Sequence, residues 1–468
     1  MVEAQWRGGV QSLDSAGARV DNPASAGAGD AASFAVLALA LVAYAVLAFG
    51  YATLTPIWQN PDEPAHYNYI AFVAQTGGLP ALQPGDWDSA LLERLKNGRL
   101  EAGDSISSIR YEAWQPPLFY LAAAPLLRLG PMGDPAAEVF PLRAFNAVLG
   151  AATICVAYLT AREVLPRHLA GAVPLFMVGV PMFTSVSAAI SADPLANLLA
   201  ASVLLLLVRR CRAAPEAAAA YPLTQQSGSP ARTYPNASWA IGAGALIGLG
   251  LLTKLALAIF VPLAWLTLVM RSRRRIREAI LLLGACGLVV LPWLVHQVTT
   301  YGWSDPLATS RHAAVVLDQP RFPGLTLGFL GSFFTTTFHS FWAQFGWMAV
   351  VAPERLYWVW GGVVAVALGG LVMQHRRLSD EPAWRLLLAT LAVAVLAYVG
   401  YNLTFLQLQG RYLFTALSPI AMLLVLGWAS WLPRPIQGWG SVVLGLGLIG
   451  LNAYALMRVL VPGFGPTG

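Results

Sequence analysis

Apolar runs of about 20 residues recur along nearly the whole chain, and they constrain it more than any motif does. They fall at Ala32–Leu54 and at residues 141–162, 169–187, 194–210, 238–253, 255–270, 278–297, 357–374, 383–403, 413–431 and 440–460. Each is long enough to cross a hydrocarbon core of roughly 30 Å as an α-helix. Only helices and closed barrels satisfy their backbone polar groups in lipid, and runs of this length are helical. The sequence therefore predicts an all-α polytopic membrane protein with about 11 transmembrane helices. Composition agrees: 57% of residues are hydrophobic and 11% charged, against about 25% charged in soluble domains. A soluble enzyme, a disordered chain and a nucleic-acid binder are excluded.

The 29 basic residues outnumber the 23 acidic ones, and all but Lys96 and Lys254 of them are arginine. Basic residues of membrane proteins gather on the cytoplasmic side. The loops Arg162–His168, Arg209–Arg212, Arg271–Arg277 and His375–Arg377 then fix a consistent alternation, with the N-terminus inside. The basic stretch 271–277 reads as a topogenic segment facing anionic membrane lipids. Residues 1–31 are rich in Ala, Gly, Ser and Asp and are expected to be a disordered cytoplasmic tail. Residues 32–468 form the transmembrane unit, and residues 211–237 read as a Pro/Ala/Ser-rich cytoplasmic linker. The first run lacks a following cleavage site and is read as an uncleaved helix. Leu118–Leu129 is too short to cross and is expected to be re-entrant or interfacial. Residues 55–140 thus become one large extracytoplasmic loop. Within it Leu91, Leu92, Leu95 and Leu100 recur at helical spacing, which predicts a helix lying on the membrane surface. Three scattered cysteines (Cys155, Cys211, Cys286) provide neither a disulfide framework nor a CxxC site.

This alternation puts every unusual polar cluster on the non-cytoplasmic face. Asn60-Pro61-Asp62-Glu63-Pro64-Ala65-His66-Tyr67 places two acids and a histidine at a membrane boundary, where they are costly to desolvate unless paired or used. Asp62 reads either as an acceptor of a hydroxyl proton or as a helix cap in a proline-set turn. Asp62, Glu63 and His66 leave a divalent metal open as the one conceivable cofactor. In Tyr111–Leu118 consecutive prolines hold Trp114 and Gln115 ahead of the re-entrant segment, either as an interfacial anchor or as a substrate contact. Asp193, in Ser191-Ala192-Asp193-Pro194, reads as a helix cap or as a partner for a cation or a sugar hydroxyl. Lys254 is a lysine at membrane depth, a compact charge suited to phosphate or one that snorkels to the interface. In Gln409-Gly410-Arg411-Tyr412, Arg411 suits a bidentate pair with phosphate or a structural pair with a loop acid. The aromatic stretch Phe329–Trp347 reads as a lipid-chain groove or an interfacial belt, with His339 structural. Acids that activate an acceptor and cations that hold an anionic leaving group suit group transfer from a lipid-linked phosphate donor.

Seven motifs in order carry a family resemblance: NPDEPAHYNYIAFVAQTGGLP (Asn60–Pro80), YEAWQPPLFY (Tyr111–Tyr120), SADPLANLLAA (Ser191–Ala201), GLLTKLAL (Gly250–Leu257), PWLVHQVTTYGWSDPL (Pro292–Leu307), SFWAQFGWM (Ser340–Met348) and QGRYLFTALSPIAMLL (Gln409–Leu424). The chain resembles GT-C superfamily membrane glycosyltransferases, those related to protein O-mannosyltransferases and lipid A aminoarabinose transferases. It is especially similar to an uncharacterised bacterial branch with a PDEPAH motif. The resemblance implies a GT-C-like fold in the plasma membrane, an extracytoplasmic site, and inverting transfer of a sugar from a polyprenyl-monophosphate donor to a glycan, lipid or protein acceptor. It implies Asp62 as the catalytic acid and Asp193 as a further acid, with Lys254 and Arg411 at the donor phosphate; Glu63 is expected to join Asp62 as a catalytic pair, orienting it or helping to bind a metal. Contacts to the substrates are expected from His66, Tyr67, Gln115, Asp193, Gln409 and Tyr412. Trp114 stands where many relatives carry histidine before Gln-Pro-Pro, a departure at that position. A lipid-linked sugar transporter or flippase is the main alternative, and a non-catalytic cell-envelope scaffold the third. A transporter calls for polar groups at mid-membrane, whereas these spans are almost purely apolar.

Overall fold

The computed structural model describes residues 23–97, 105–129, 134–213 and 236–465. Helix α1 runs from Pro23 to Leu54, so the end of the segment expected as a disordered tail is helical. Proline is accommodated in the first turn, where an N–H would be unpaired, and the alanines that follow are the strongest helix formers. Residues 1–22 and most of the expected 211–237 linker lie outside the described residues.

Among the described residues eight helices are long and apolar enough to cross a membrane: Asp30–Leu54, Ala137–Val164, Asp193–Arg212, Arg275–Tyr301, Glu354–Met373, Pro382–Asn402, Gly410–Ala429 and Arg434–Gly463. A ninth is a broken pair, Arg167–Val178 and Pro181–Ser187, bent by 69°. Pro181, which lacks the N–H that would continue the ladder, follows directly on that break. The two remaining apolar runs form shorter helices, Ala237–Leu251 and Leu255–Arg271. The chain is a helical polytopic membrane protein. Its one sheet among the described residues is a hairpin pairing Gln344–Phe345 with Val350–Val351.

Small residues bring the helices close. A Cβ on Gly244 would stand 2.0 Å from the Leu282 carbonyl oxygen, so the helices Asn236–Leu251 and Arg275–Tyr301 touch backbone to backbone there. The arginine-rich loops meet at one end of the bundle. Arg162 and Arg167 pair with Asp30, Arg209 with Glu163, and Arg210 with Glu278, while Arg377 donates to the Val164 carbonyl.

At the other end the first loop folds over the bundle. It contains α2 (Glu63–Thr76), α3 (Ser89–Lys96) and α4 (Leu118–Ala123), ahead of α5 (Pro135–Val164). Leu91, Leu92 and Leu95 do form a helix, but they pack with Trp58, Tyr69 and Ile109 into a core of the loop's own rather than facing lipid. Asp88 caps that helix by accepting from the Leu91 N–H, and Gln59 Nε2 donates to the Leu95 carbonyl at 2.7 Å. Leu100 lies outside the described residues. The short apolar segment is tied inward by Leu118 N–H to the Leu252 carbonyl, 2.8 Å, beside Lys254.

Candidate functional site

Three chain reversals at the loop-covered end place four charged side chains together. Asp62 precedes α2 with φ 65°, a left-handed backbone that a non-glycine residue holds only at a cost. Its side chain makes no capping bond to the helix. It accepts instead from the Tyr111 hydroxyl at 2.8 Å and from Arg411 at 2.5 Å. Asp193, in the first turn of the helix Asp193–Arg212, pairs with Lys254 and lies 3.9 Å from the second Arg411 amino group. Both carboxylates thus share Arg411, which is 5% exposed. Lys254, in extended backbone between two helices, lies over the Tyr412 ring at 5.5 Å.

Gly410 makes this possible. A Cβ there would stand 2.3 Å from the Thr337 carbonyl and 2.5 Å from the Phe341 nitrogen. The backbone ahead of Arg411 presses directly on the helix Leu327–Trp342, whose Ser340 hydroxyl accepts from the Gly410 N–H at 2.7 Å. Only a residue without a side chain fits such an approach.

Two polar atoms in this cluster are buried without a hydrogen-bond partner among the described residues: Arg411 Nε and Glu112 Oε2. Glu112 follows Tyr111, and Gln115 donates to its carboxylate. Burial, reinforced by the negative charge of Asp62, pushes the Glu112 carboxyl up to about 7, against the opposing pull of Lys254 and Arg411. Burial also works to raise the Asp62 carboxyl, but Arg411, His66 and the bond from Tyr111 bring it below its ordinary value. His66 Nδ1 lies 2.9 Å from the Tyr120 hydroxyl. Burial and the nearby cations pull the imidazole down to about 4 despite Asp62 and Asp193, so it is neutral at physiological pH.

Other expected members lie elsewhere. Glu63, read from sequence as half of a catalytic pair, is 0% exposed and faces away from Asp62. Its carboxylate is held by Arg143 at 2.7 and 2.8 Å and also accepts from Trp58 N, Asn60 Nδ2 and Ile190 N. With both oxygens engaged, it ties the start of α2 to α5. Consecutive residues of a turn point apart, and here Asp62 and Glu63 do. The same divergence dissolves the metal trio Asp62, Glu63 and His66: no group of three His, Cys, Asp or Glu among the described residues is placed to hold a metal. Tyr67, expected to touch substrate, packs its ring on Trp58 and donates to Glu138 of α5. Gln409 Nε2 donates to Gln407 at 2.7 Å, with its own Oε1 buried and unpaired among the described residues. Trp114 packs on His312, ring centroids 4.8 Å apart, and His339 stacks on Tyr357.

Tyr111, Glu112 and Arg143 were not singled out from the sequence. Glu112 carried one readable signal, an acid two residues before Trp114 in an otherwise apolar and aromatic interfacial run. Arg143 carried none, because its partner is 80 residues away.

Solved membrane-protein structures share this helical architecture. The crystal structure of ArnT from Cupriavidus metallidurans bound to undecaprenyl phosphate superposes with a TM-score of 0.54 at 16% identity, over 89% of this chain and 63% of that one. The same protein in the apo state gives 0.54 at 14% identity, over 90% and 64%. The Archaeoglobus fulgidus oligosaccharyltransferase in the apo form gives 0.48 at 12% identity, over 92% and 55%. The chain therefore spans less than two thirds of the length of ArnT. The chain belongs to the family described as "Predicted membrane protein (DUF2142)", which matches residues 111–424. No curated protein matches the sequence.

Proposed function

We propose that this protein is an integral membrane glycosyltransferase that moves a sugar from a polyprenyl-monophosphate donor to an acceptor hydroxyl on the face covered by the first loop. The supporting observation is the convergence of Asp62, Asp193, Lys254, Arg411 and Glu112, with Arg411 Nε and Glu112 Oε2 buried and unpaired among the described residues. Unpaired buried polar atoms are rare and call for a partner. A phosphate oxygen answers for the guanidinium, and an acceptor or sugar hydroxyl answers for the carboxyl.

In this reading the acceptor oxygen attacks the anomeric carbon, and the bond from that carbon to the phosphate oxygen breaks. The electron pair leaves with the polyprenyl phosphate, and configuration inverts. Charge grows on the leaving phosphate, so Lys254 and Arg411 bind the transition state more tightly than the ground state. Asp62 takes the hydroxyl proton. While Arg411 is on its carboxylate it is a weak base. A phosphate that draws Arg411 away returns its basicity toward the ordinary value. Glu112 completes the carboxylate pair beside it, and Asp193 keeps Lys254 in place. Plasma-membrane location with this face outside belongs to the same reading, as do polyprenyl-linked donors and glycan, lipid or protein acceptors.

The test is a transfer assay in membranes with a panel of radiolabelled polyprenyl-phosphate sugars. Wild type is expected to label an acceptor, and Arg411→Ala to lose about 10²–10³-fold. Wild-type turnover in Asp62→Asn removes its role as proton acceptor. Passage of a donor across the bilayer with no transfer points to a transporter, and retention with neither points to a scaffold.

A further inference from the structure

A polar cavity lies at the end of the bundle opposite the Asp62 cluster. Its volume is about 280 Å³, and it is lined by His168, Gln374, Arg377, Arg434 and Gln437 over an apolar floor of Leu426 and Ala429. The lining includes no carboxylate. Its depth follows from α5: Arg143 holds Glu63 under the first loop, while Val164 on the same helix accepts from Arg377 at 2.8 Å. Twenty-one helical residues separate the two, roughly 30 Å, which is the thickness of a hydrocarbon core. The cavity therefore sits at the far headgroup level. Trp431 and Trp439, 56% and 75% exposed, flank the rim residues Arg434 and Gln437 in sequence, and exposed tryptophans of this kind favour the interface.

The cations are arranged for an external anion. Arg377 is fixed from one side by the Val164 carbonyl, Glu381 at 3.3 Å and the Trp384 ring. Arg434, exposed beside it, has no ion pair among the described residues. His168 and Gln437 approach each other at 3.4 Å across the rim. Arginine forks in a basic pocket at a headgroup level match a phosphate.

We propose that this cavity binds the phosphate of an anionic phospholipid from the leaflet opposite the Asp62 cluster. The proposal is independent of the glycosyl-transfer reading. Full-length protein, delipidated in neutral detergent, is titrated with phosphatidylglycerol, phosphatidylcholine or inorganic phosphate, and bound lipid is read by native mass spectrometry alongside thermal unfolding. Phosphatidylglycerol is expected to be retained and to raise the melting temperature, and phosphatidylcholine to do neither. Arg434→Gln is expected to weaken retention about fivefold, and Arg434→Gln with His168→Asn further. Arg311→Gln, the same charge loss at an exposed arginine outside the cavity lining, should change nothing. A phosphatidylglycerol effect without a phosphate effect identifies the lipid as ligand. An equal shift from inorganic phosphate alone upholds the phosphate chemistry and assigns it to the soluble ion. Equal retention of both lipids overturns the proposal. So does wild-type retention by Arg434→Gln, or an equal loss from Arg311→Gln.

Discussion

Replacing Arg143 with methionine tests how the first loop is held over the bundle. Arg143 is 2% exposed and Glu63 0%. The guanidinium binds both Glu63 oxygens, and it also donates to the carbonyls of Ala52, Thr55 and Pro56 at 2.8, 2.7 and 3.1 Å. These carbonyls lie at and just beyond the C-terminal end of α1, where positive charge is favoured. Methionine preserves much of the stem volume but leaves the Glu63 carboxylate buried with three neutral donors. Removing one partner of a buried pair costs about 3–5 kcal/mol. The three surviving donors put the expectation at the lower end, about 3 kcal/mol. The loss should be local, because Glu63 follows Asp62, whose left-handed backbone is retained only while its surroundings hold it. Hydrogen exchange in nanodiscs should show faster exchange at residues 58–70, with the spans unchanged. Glu63→Gln combined with Arg143→Met leaves no buried charge and should recover about half of the loss. Destabilisation below about 1 kcal/mol by Arg143→Met, with unchanged exchange in that stretch, would refute the anchoring argument. A Glu63→Gln protein that is as stable as wild type yet inactive in transfer would refute the non-catalytic assignment of Glu63.

Gly410→Ala forces a methyl group to within 2.3 Å of the Thr337 carbonyl. It should destabilise by about 1–3 kcal/mol and displace Arg411, read as a lower melting temperature. The proton on Glu112, held up to about 7 from an ordinary 4.5, is bound more tightly in the fold than in the unfolded chain. Its contribution of up to about 3 kcal/mol is complete below about 4.5 and is lost as pH rises through about 7. Glu112→Gln should flatten the stability profile across that window, measured by unfolding at stepped pH. His66, held down to about 4 by burial, acts in the opposite sense, favouring the fold at neutral pH and costing stability as pH falls from about 6.5 to 4. His66→Asn should therefore blunt acid unfolding in that range.

What hydropathy carries is the set of spans. All eleven apolar runs are helical, and those that fall short of a simple crossing break at polar or proline positions, Thr253–Lys254 and Pro181. Charge alternation along the loops also had information in it, because Asp62, Asp193, Lys254 and Arg411 are 61 to 349 residues apart in pairing and still meet at one end. Side-chain direction within a turn was not legible. Asp62 and Glu63 are adjacent in sequence and serve different partners, which only φ and a remote arginine decide. Tyr67 went to Glu138 for the same reason. Glu112 became prominent through burial, which no local pattern specifies in an interfacial loop.

The two acids, Asp62 and Asp193, and the two cations, Lys254 and Arg411, cancel one another in this arrangement. Such a site presents little net field to water, so a free phosphate ion has no attraction to follow and must evict a carboxylate to enter. In the proposed reading, a phosphate already confined to the bilayer by its own hydrocarbon tail arrives at high effective concentration and makes that exchange without long-range help. Selectivity for tethered over soluble phosphate can thus originate in mutual neutralisation, with no dedicated contact to discriminate the two.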